Sequence, residues 1–174
     1  MATWNSRGLR GSALEEFINQ TCEQYRERNL ALIQKVPTPI TPVRIEKESR
    51  HITLAYFDKK STVDYIGVVQ GIPVCFDAKE CHTDNFPLHQ VRFMGDFEKQ
   101  DGIAFLILYF SHRDEIYYMR YEEMLKFWNR GQNGGRKHFK YEELNPKWFL
   151  TRNGNYLVPF LEGIALDLKE REEN

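Results

Sequence analysis

The chain has 174 residues and 20.7 kDa, 41% hydrophobic and 28% charged, with 24 Lys and Arg against 25 Asp and Glu. That length buries a core, that composition excludes wholesale disorder, and the near-neutral balance excludes a bulk polycation. The longest apolar run (Ile103–Phe110) is too short for a bilayer, the opening residues carry no apolar signal core, and Cys22, Cys75 and Cys81 form no C-x-x-C, so a soluble cytoplasmic protein is expected.

Ser12-Ala13-Leu14-Glu15 is an S-x-x-E capping box ahead of Leu14, Phe17, Ile18, Cys22 and Tyr25 at helical spacing, which predicts a helix over 12–28. Residues 30–36 are a short apolar strand, and Pro37, Pro39 and Pro42 then force the chain to change direction. Residues 43–57 partly alternate and predict a two-stranded excursion turning near Glu48-Ser49-Arg50. Strands over 62–69 and 72–79 flank Gln70-Gly71 as a hairpin. Residues 86–100 read as a helix with Leu88, Val91, Met94 and Phe97 on one face. Ile103–Phe110 is a continuous apolar strand, the pattern of a central strand covered on both faces. A strand over 116–119, a helix over 121–130, a loop over 131–135 and a terminal helix over 158–169 complete the chain. The order predicts an α/β fold with a central mixed β-sheet flanked by helices, one domain over residues 1–174 with no linker and no repeat.

The informative constellation is Asp64 and, thirteen residues on, Asp77-Ala78-Lys79. Residues i and i+2 of a strand share a face, so Asp77 and Lys79 point the same way, and the hairpin folds Asp64 against them. Carboxylates are the hard oxygen donors that Mg²⁺ or Mn²⁺ prefers, and a nearby ammonium can orient a water beside the metal. By pattern alone a surface ion pair explains D-x-K as well, but Val74, Phe76 and Ala78 mark an interior strand, where charges are seldom placed without a partner or a task. Cys75, Cys81, His82 and His89 match no tetrahedral zinc spacing. Charge is unevenly spread. Residues 130–152 hold Arg130, Arg136, Lys137, Lys140, Lys147 and Arg152 against Glu142 and Glu143, and residues 36–61 hold five bases against three acids. Such segments suit a polyanion bound on one face, although solvated surface charge accounts for them equally.

The segments Gly11-Ser12-Ala13-Leu14-Glu15-Glu16, Lys35-Val36-Pro37-Thr38-Pro39, Ser61-Thr62-Val63-Asp64-Tyr65-Ile66-Gly67, Phe76-Asp77-Ala78-Lys79-Glu80 and His89-Gln90 together resemble the PD-(D/E)xK nuclease superfamily. Within it the chain is most similar to the RecU-type Holliday junction resolvases. The resemblance implies a restriction-endonuclease-like fold with a protruding β-stalk over 36–60. It implies metal ligation by Asp64, Asp77 and the Ala78 carbonyl, water alignment by Lys79, and further active-site roles for Thr62, Gln90 and Glu15. Glu15 reads equally as the capping-box acid. The stalk bases Arg44, Lys47, Arg50, Lys59 and Lys60, with Arg7, Arg10, Arg136, Lys137 and Lys140, become candidate phosphate contacts. Asp77 stands where close relatives carry Glu, and Val63 where the superfamily name expects Pro. The implied activity is Mg²⁺- or Mn²⁺-dependent resolution of four-way DNA by paired symmetric nicks leaving 5′-phosphates, in recombination and repair. The implied assembly is a homodimer working with a recombinase or branch-migration partner. The rival expectations are a superfamily nuclease cutting flaps or duplexes, and a junction-binding accessory protein that does not cut.

Overall fold

The computed structural model describes residues 13–57, 63–81, 85–87, 91–152 and 154–173, and for 57 and 85–87 the backbone alone. Arg7, Arg10, Ser12, Lys59, Lys60, Thr62, His82, His89 and Gln90, singled out above, lie outside the described residues. Helix α1 (Ala13–Glu27) buries Leu14, Ile18, Thr21, Cys22 and Tyr25 along one stripe, with Glu15 and Glu16 in its first turn and Arg26 in its last, the charge order its dipole favours. It ends where Asn29 takes a left-handed backbone (φ 55°) and the Leu30 N–H donates back to the Tyr25 carbonyl at 2.9 Å.

Strand β1 (Leu32–Lys35) follows, then β2 (Ile40–Ile45) and β3 (Ile52–Phe57), which pair only with each other as a separate antiparallel ribbon. The ribbon starts at Ile40 rather than at residue 43, because a register shift between Pro42 and Arg44 absorbs the proline within β2. Strands β4 (Tyr65–Val69) and β5 (Ile72–Cys81) make the expected hairpin. Gln70 and Gly71 both have positive φ, 48° and 91°, as a two-residue turn matched to strand twist requires.

Between β5 and the next long strand the chain departs from expectation. Phe86 lies not in a helix but in a short strand, β6 (Asn85–Pro87), and among the described residues the helix is α2 (Val91–Glu98). The residue before a proline is biased away from the helical region toward extended backbone, and Phe86 precedes Pro87. Strand β7 (Ile103–Phe110) is as read, β8 (Glu115–Arg120) and α3 (Tyr121–Gln132) are close to it, and α3 takes in the first two residues of the expected 131–135 loop. Two further strands lie outside the expected order: β9 (His138–Lys140), which pairs antiparallel with β6, and β10 (Phe149–Leu150). Helix α4 (Phe160–Glu173) closes the fold.

The main sheet has the order β1-β4-β5-β7-β8-β10, with β5–β7 its one parallel pair, so it is the mixed, helix-flanked sheet expected. Tyr65, Phe76, Phe105 and Tyr118 stack across four neighbouring strands at centroid spacings of 4.8, 4.7 and 4.5 Å, and Phe160 of α4 covers Phe76 and Phe105. Asp64 and Asp77 are sequence neighbours of the first two rings, so this ladder fixes the register that carries both carboxylates. Among the described residues no helix is long and apolar enough to cross a membrane.

Candidate active site

Asp64 stands immediately before β4, and its carbonyl accepts the Val36 N–H at 2.8 Å, tying it to the end of β1. Asp77 lies in mid-β5, flanked by β4 and β7, and is 2% exposed. The two carboxylates bind each other's strands reciprocally. The Asp64 N–H donates to Asp77 Oδ1 at 2.7 Å, and the Ala78 N–H donates to Asp64 Oδ2 at 3.0 Å. Each acid thus spends one oxygen on a backbone amide that fixes its orientation, and among the described residues the other oxygen accepts no further hydrogen bond.

The arrangement is short of positive charge. Burial, and then the Asp64 charge, push the Asp77 carboxyl up to about 7, against the opposing pull of the Asp64 N–H and Lys79. Lys79 lies two residues along β5 on the same face, half-buried. A hard divalent cation fits this donor chemistry, since it would neutralise two neighbouring carboxylates of which one, Asp77, is buried away from water. Among the described residues no third His, Cys, Asp or Glu joins them, so most of the cation's remaining positions would fall to water and phosphate oxygens.

Glu15, read as cap or catalyst, is brought to this site. In the first turn of α1 it ion-pairs with Lys35 of β1, and both line a pocket of about 190 Å³ with Val36, Thr38, Asp64, Tyr65 and Ala78. Lys35 and Thr38 were not assigned roles from the sequence, and their one signal was the K-V-P-T-P segment that carried the resemblance. Gly67 holds β1 in place. A Cβ there would sit 2.1 Å from the Leu32 carbonyl oxygen and 2.7 Å from the Ile33 Cα, backbone atoms that cannot swing aside. Gly67→Ala is expected to displace β1 and with it Lys35. Denaturant unfolding should show a loss of about 2–4 kcal/mol.

The candidate DNA contacts divide into two groups. Arg44, Lys47 and Arg50 are exposed on the β2–β3 ribbon. Of the six bases over 130–152, four are ion-paired: Arg130 and Arg136 with Glu143, Lys147 with Glu170, and Arg152 with Asp114. Arg136 is therefore committed within the fold, whereas Lys137 and Lys140 are exposed.

Sequence comparison places these features in a family. A profile of the family described as Recombination protein U matches residues 9–166. The Holliday junction resolvase RecU of Pediococcus pentosaceus is 36% identical over 167 residues, covering 90% of this chain and 83% of that protein. Its counterpart in Bacillus cytotoxicus is 38% identical over 146 residues, 79% of this chain and 73% of that protein. The Oceanobacillus iheyensis protein is 39% identical over 160 residues, 87% and 78% of the two chains. With its mixed sheet, its paired carboxylates and a match over nearly all its length, the chain belongs to the Recombination protein U family.

Proposed function

We propose that this protein is a Holliday junction resolvase, a divalent-metal-dependent endonuclease that cuts four-way DNA by paired symmetric nicks in recombination and repair. The observation that carries the reading is the reciprocal Asp64–Asp77 arrangement beside Lys79. Held by the free oxygens of the two carboxylates and by the Ala78 carbonyl, Mg²⁺ or Mn²⁺ would polarise the scissile phosphate and acidify a bound water. The backbone amides of Asp64 and Ala78 keep both carboxylates aimed at one point before the substrate arrives. Lys79 directs its ammonium to the attacking water and to charge developing on the phosphoryl oxygens. In-line attack breaks the P–O3′ bond, leaving a 5′-phosphate and a 3′-hydroxyl. Glu15, neutralised by Lys35, borders the same pocket. Thr62 and Gln90 complete the proposed site.

The β2–β3 ribbon, within residues 36–60 of what we read as one nuclease domain, is proposed as the stalk that enters the junction. Arg44, Lys47 and Arg50, with Lys59 and Lys60, would meet phosphates there, and Arg7, Arg10, Lys137 and Lys140 would extend that surface. Two opposed nicks call for a two-fold homodimer. Outside the ribbon, Leu32 of β1 and its cross-strand partner Val68 of β4 are exposed large apolar side chains, and a second copy would cover them. A recombinase or branch-migration partner is part of the proposal. So is a cytoplasmic location, which the three free, buried cysteines suit.

The test is cleavage of a labelled four-way junction and of its matched linear duplex, in Mg²⁺ and in EDTA. Paired nicks in the junction alone, abolished by EDTA, are expected. Equal cutting of both substrates would discard junction selectivity, and tight binding without cutting would discard the nuclease.

A further inference from the structure

The ion pairing of the basic segment has a centre, Glu143. Its two carboxylate oxygens are divided between two arginines: Oε1 takes Arg130 at 2.5 Å, and Oε2 takes Arg136 at 2.5 Å together with the Lys140 N–H at 2.7 Å. Arg130, near the end of α3, also donates to the Arg136 carbonyl at 3.3 Å and to the His138 carbonyl at 2.6 Å, and Arg136 Nε donates to that same His138 carbonyl at 3.0 Å. These bonds close the connection between α3 and β9 on itself. Its floor is fixed as well, since Phe139 is fully buried and stacks on Phe127 of α3 at 5.3 Å. Both arginines spend their forks within the fold, yet the exposed Lys137 sits on the loop they hold and the exposed Lys140 at the end of the strand that follows it.

The loop is also tied to the strand that carries the chemistry. Lys140 pairs with Asn85 of β6, six residues beyond Lys79 along the same chain. A chain of six residues spans at most ~20 Å, so this basic ribbon is tethered to the end of the catalytic strand.

We propose that Glu143 is a positioning residue for DNA: it clamps Arg130 and Arg136 so that the α3–β9 connection and β9 present Lys137 and Lys140 as a fixed pair of phosphate contacts on a ribbon tethered to the catalytic strand. The inference rests on the resolvase reading above. A preformed pair of contacts loses less side-chain and loop entropy on binding than a mobile one. The two guanidiniums and the Lys140 amide hold the Glu143 carboxyl down at about 2, so the clamp keeps its negative charge at neutral pH.

The experiment measures the affinity of the full chain for a labelled four-way junction in EDTA across a KCl series. Glu143→Gln removes a negative charge from a DNA-facing surface, so charge alone would tighten binding. The clamp instead requires weaker binding, by about five- to tenfold, with the salt slope falling by about 1 to 2. At saturating junction in Mg²⁺, kcat should remain at the wild-type value while the half-saturating concentration rises. Arg130→Lys keeps the charge and loses the fork, so it should behave like Glu143→Gln. Adding Glu143→Gln to Lys137→Ala/Lys140→Ala should weaken binding no further. Wild-type or tighter binding by Glu143→Gln, or a full additional loss in the triple variant, would overturn the proposal. A wild-type chain with no preference for the junction would instead sink the reading on which it rests, and it would do so before any variant is made.

Discussion

Asp77→Asn should abolish junction cleavage and at the same time raise the thermal stability of the metal-free protein. The side chain is 2% exposed, with one oxygen on the Asp64 amide and the Asp64 carboxylate nearby. Asparagine keeps an acceptor for that amide and removes a buried charge that burial and a like charge both oppose. At pH 8, where the cost of the ionised carboxylate is fully present, the variant should gain on the order of 1–3 kcal/mol, a rise of several degrees in Tm. Cleavage should fall by about three orders of magnitude or more, because the metal loses an anionic donor. Calorimetric unfolding in EDTA, beside a nicking assay in Mg²⁺, reads both effects. A less stable variant that still cuts would show that Asp77 is an ordinary structural acid. Saturating Mg²⁺ should narrow the stability gap, since the cation supplies to the wild type the charge that the substitution removes.

Lys79→Ala carries the second large effect, and it differs in kind. The ammonium pulls the Asp77 carboxyl down, so its loss leaves the carboxylates more starved of positive charge and does nothing to relieve their repulsion. Cleavage should drop about 10²- to 10⁴-fold, the range for a group that aligns or activates a nucleophile. Junction affinity should stay near wild type, because one half-buried lysine is a small part of the phosphate-contacting surface. The variant should not gain the stability expected of Asp77→Asn. Single-turnover cleavage and equilibrium binding on the same junction separate these effects. Equal losses in affinity and rate would make Lys79 a DNA anchor rather than a catalytic group.

The carboxylate pair was legible in the sequence because both determinants are local. Strand alternation put Asp77 and Lys79 on one face, and Gln70-Gly71 set the turn that returns the chain from Asp64 to them. Strand β7 was legible because eight consecutive apolar residues leave little choice but a strand covered on both sides. The β6–β9 ribbon was not, because three-residue strands carry no period, and Phe86 gains its extended backbone from the proline after it and a partner more than fifty residues away. The Glu15–Lys35 contact depends on how α1 lies against β1, which neither segment encodes alone. The positive charge counted over 130–152 was largely an overcount. Lys147 and Arg152 find Glu170 and Asp114 on distant elements, and a linear tally of charge cannot see such partners.

The central claim is that Asp64 and Asp77 together hold the catalytic cation. It is tested most directly by titrating Mn²⁺ into the DNA-free protein and following the paramagnetic signal of the unbound ion, for wild type, Asp64→Asn and Asp77→Asn. The account predicts binding by the wild type and its loss in each single variant, since each acid contributes an oxygen that the other cannot replace. Binding of Mn²⁺ to both variants as tightly as to the wild type would contradict it.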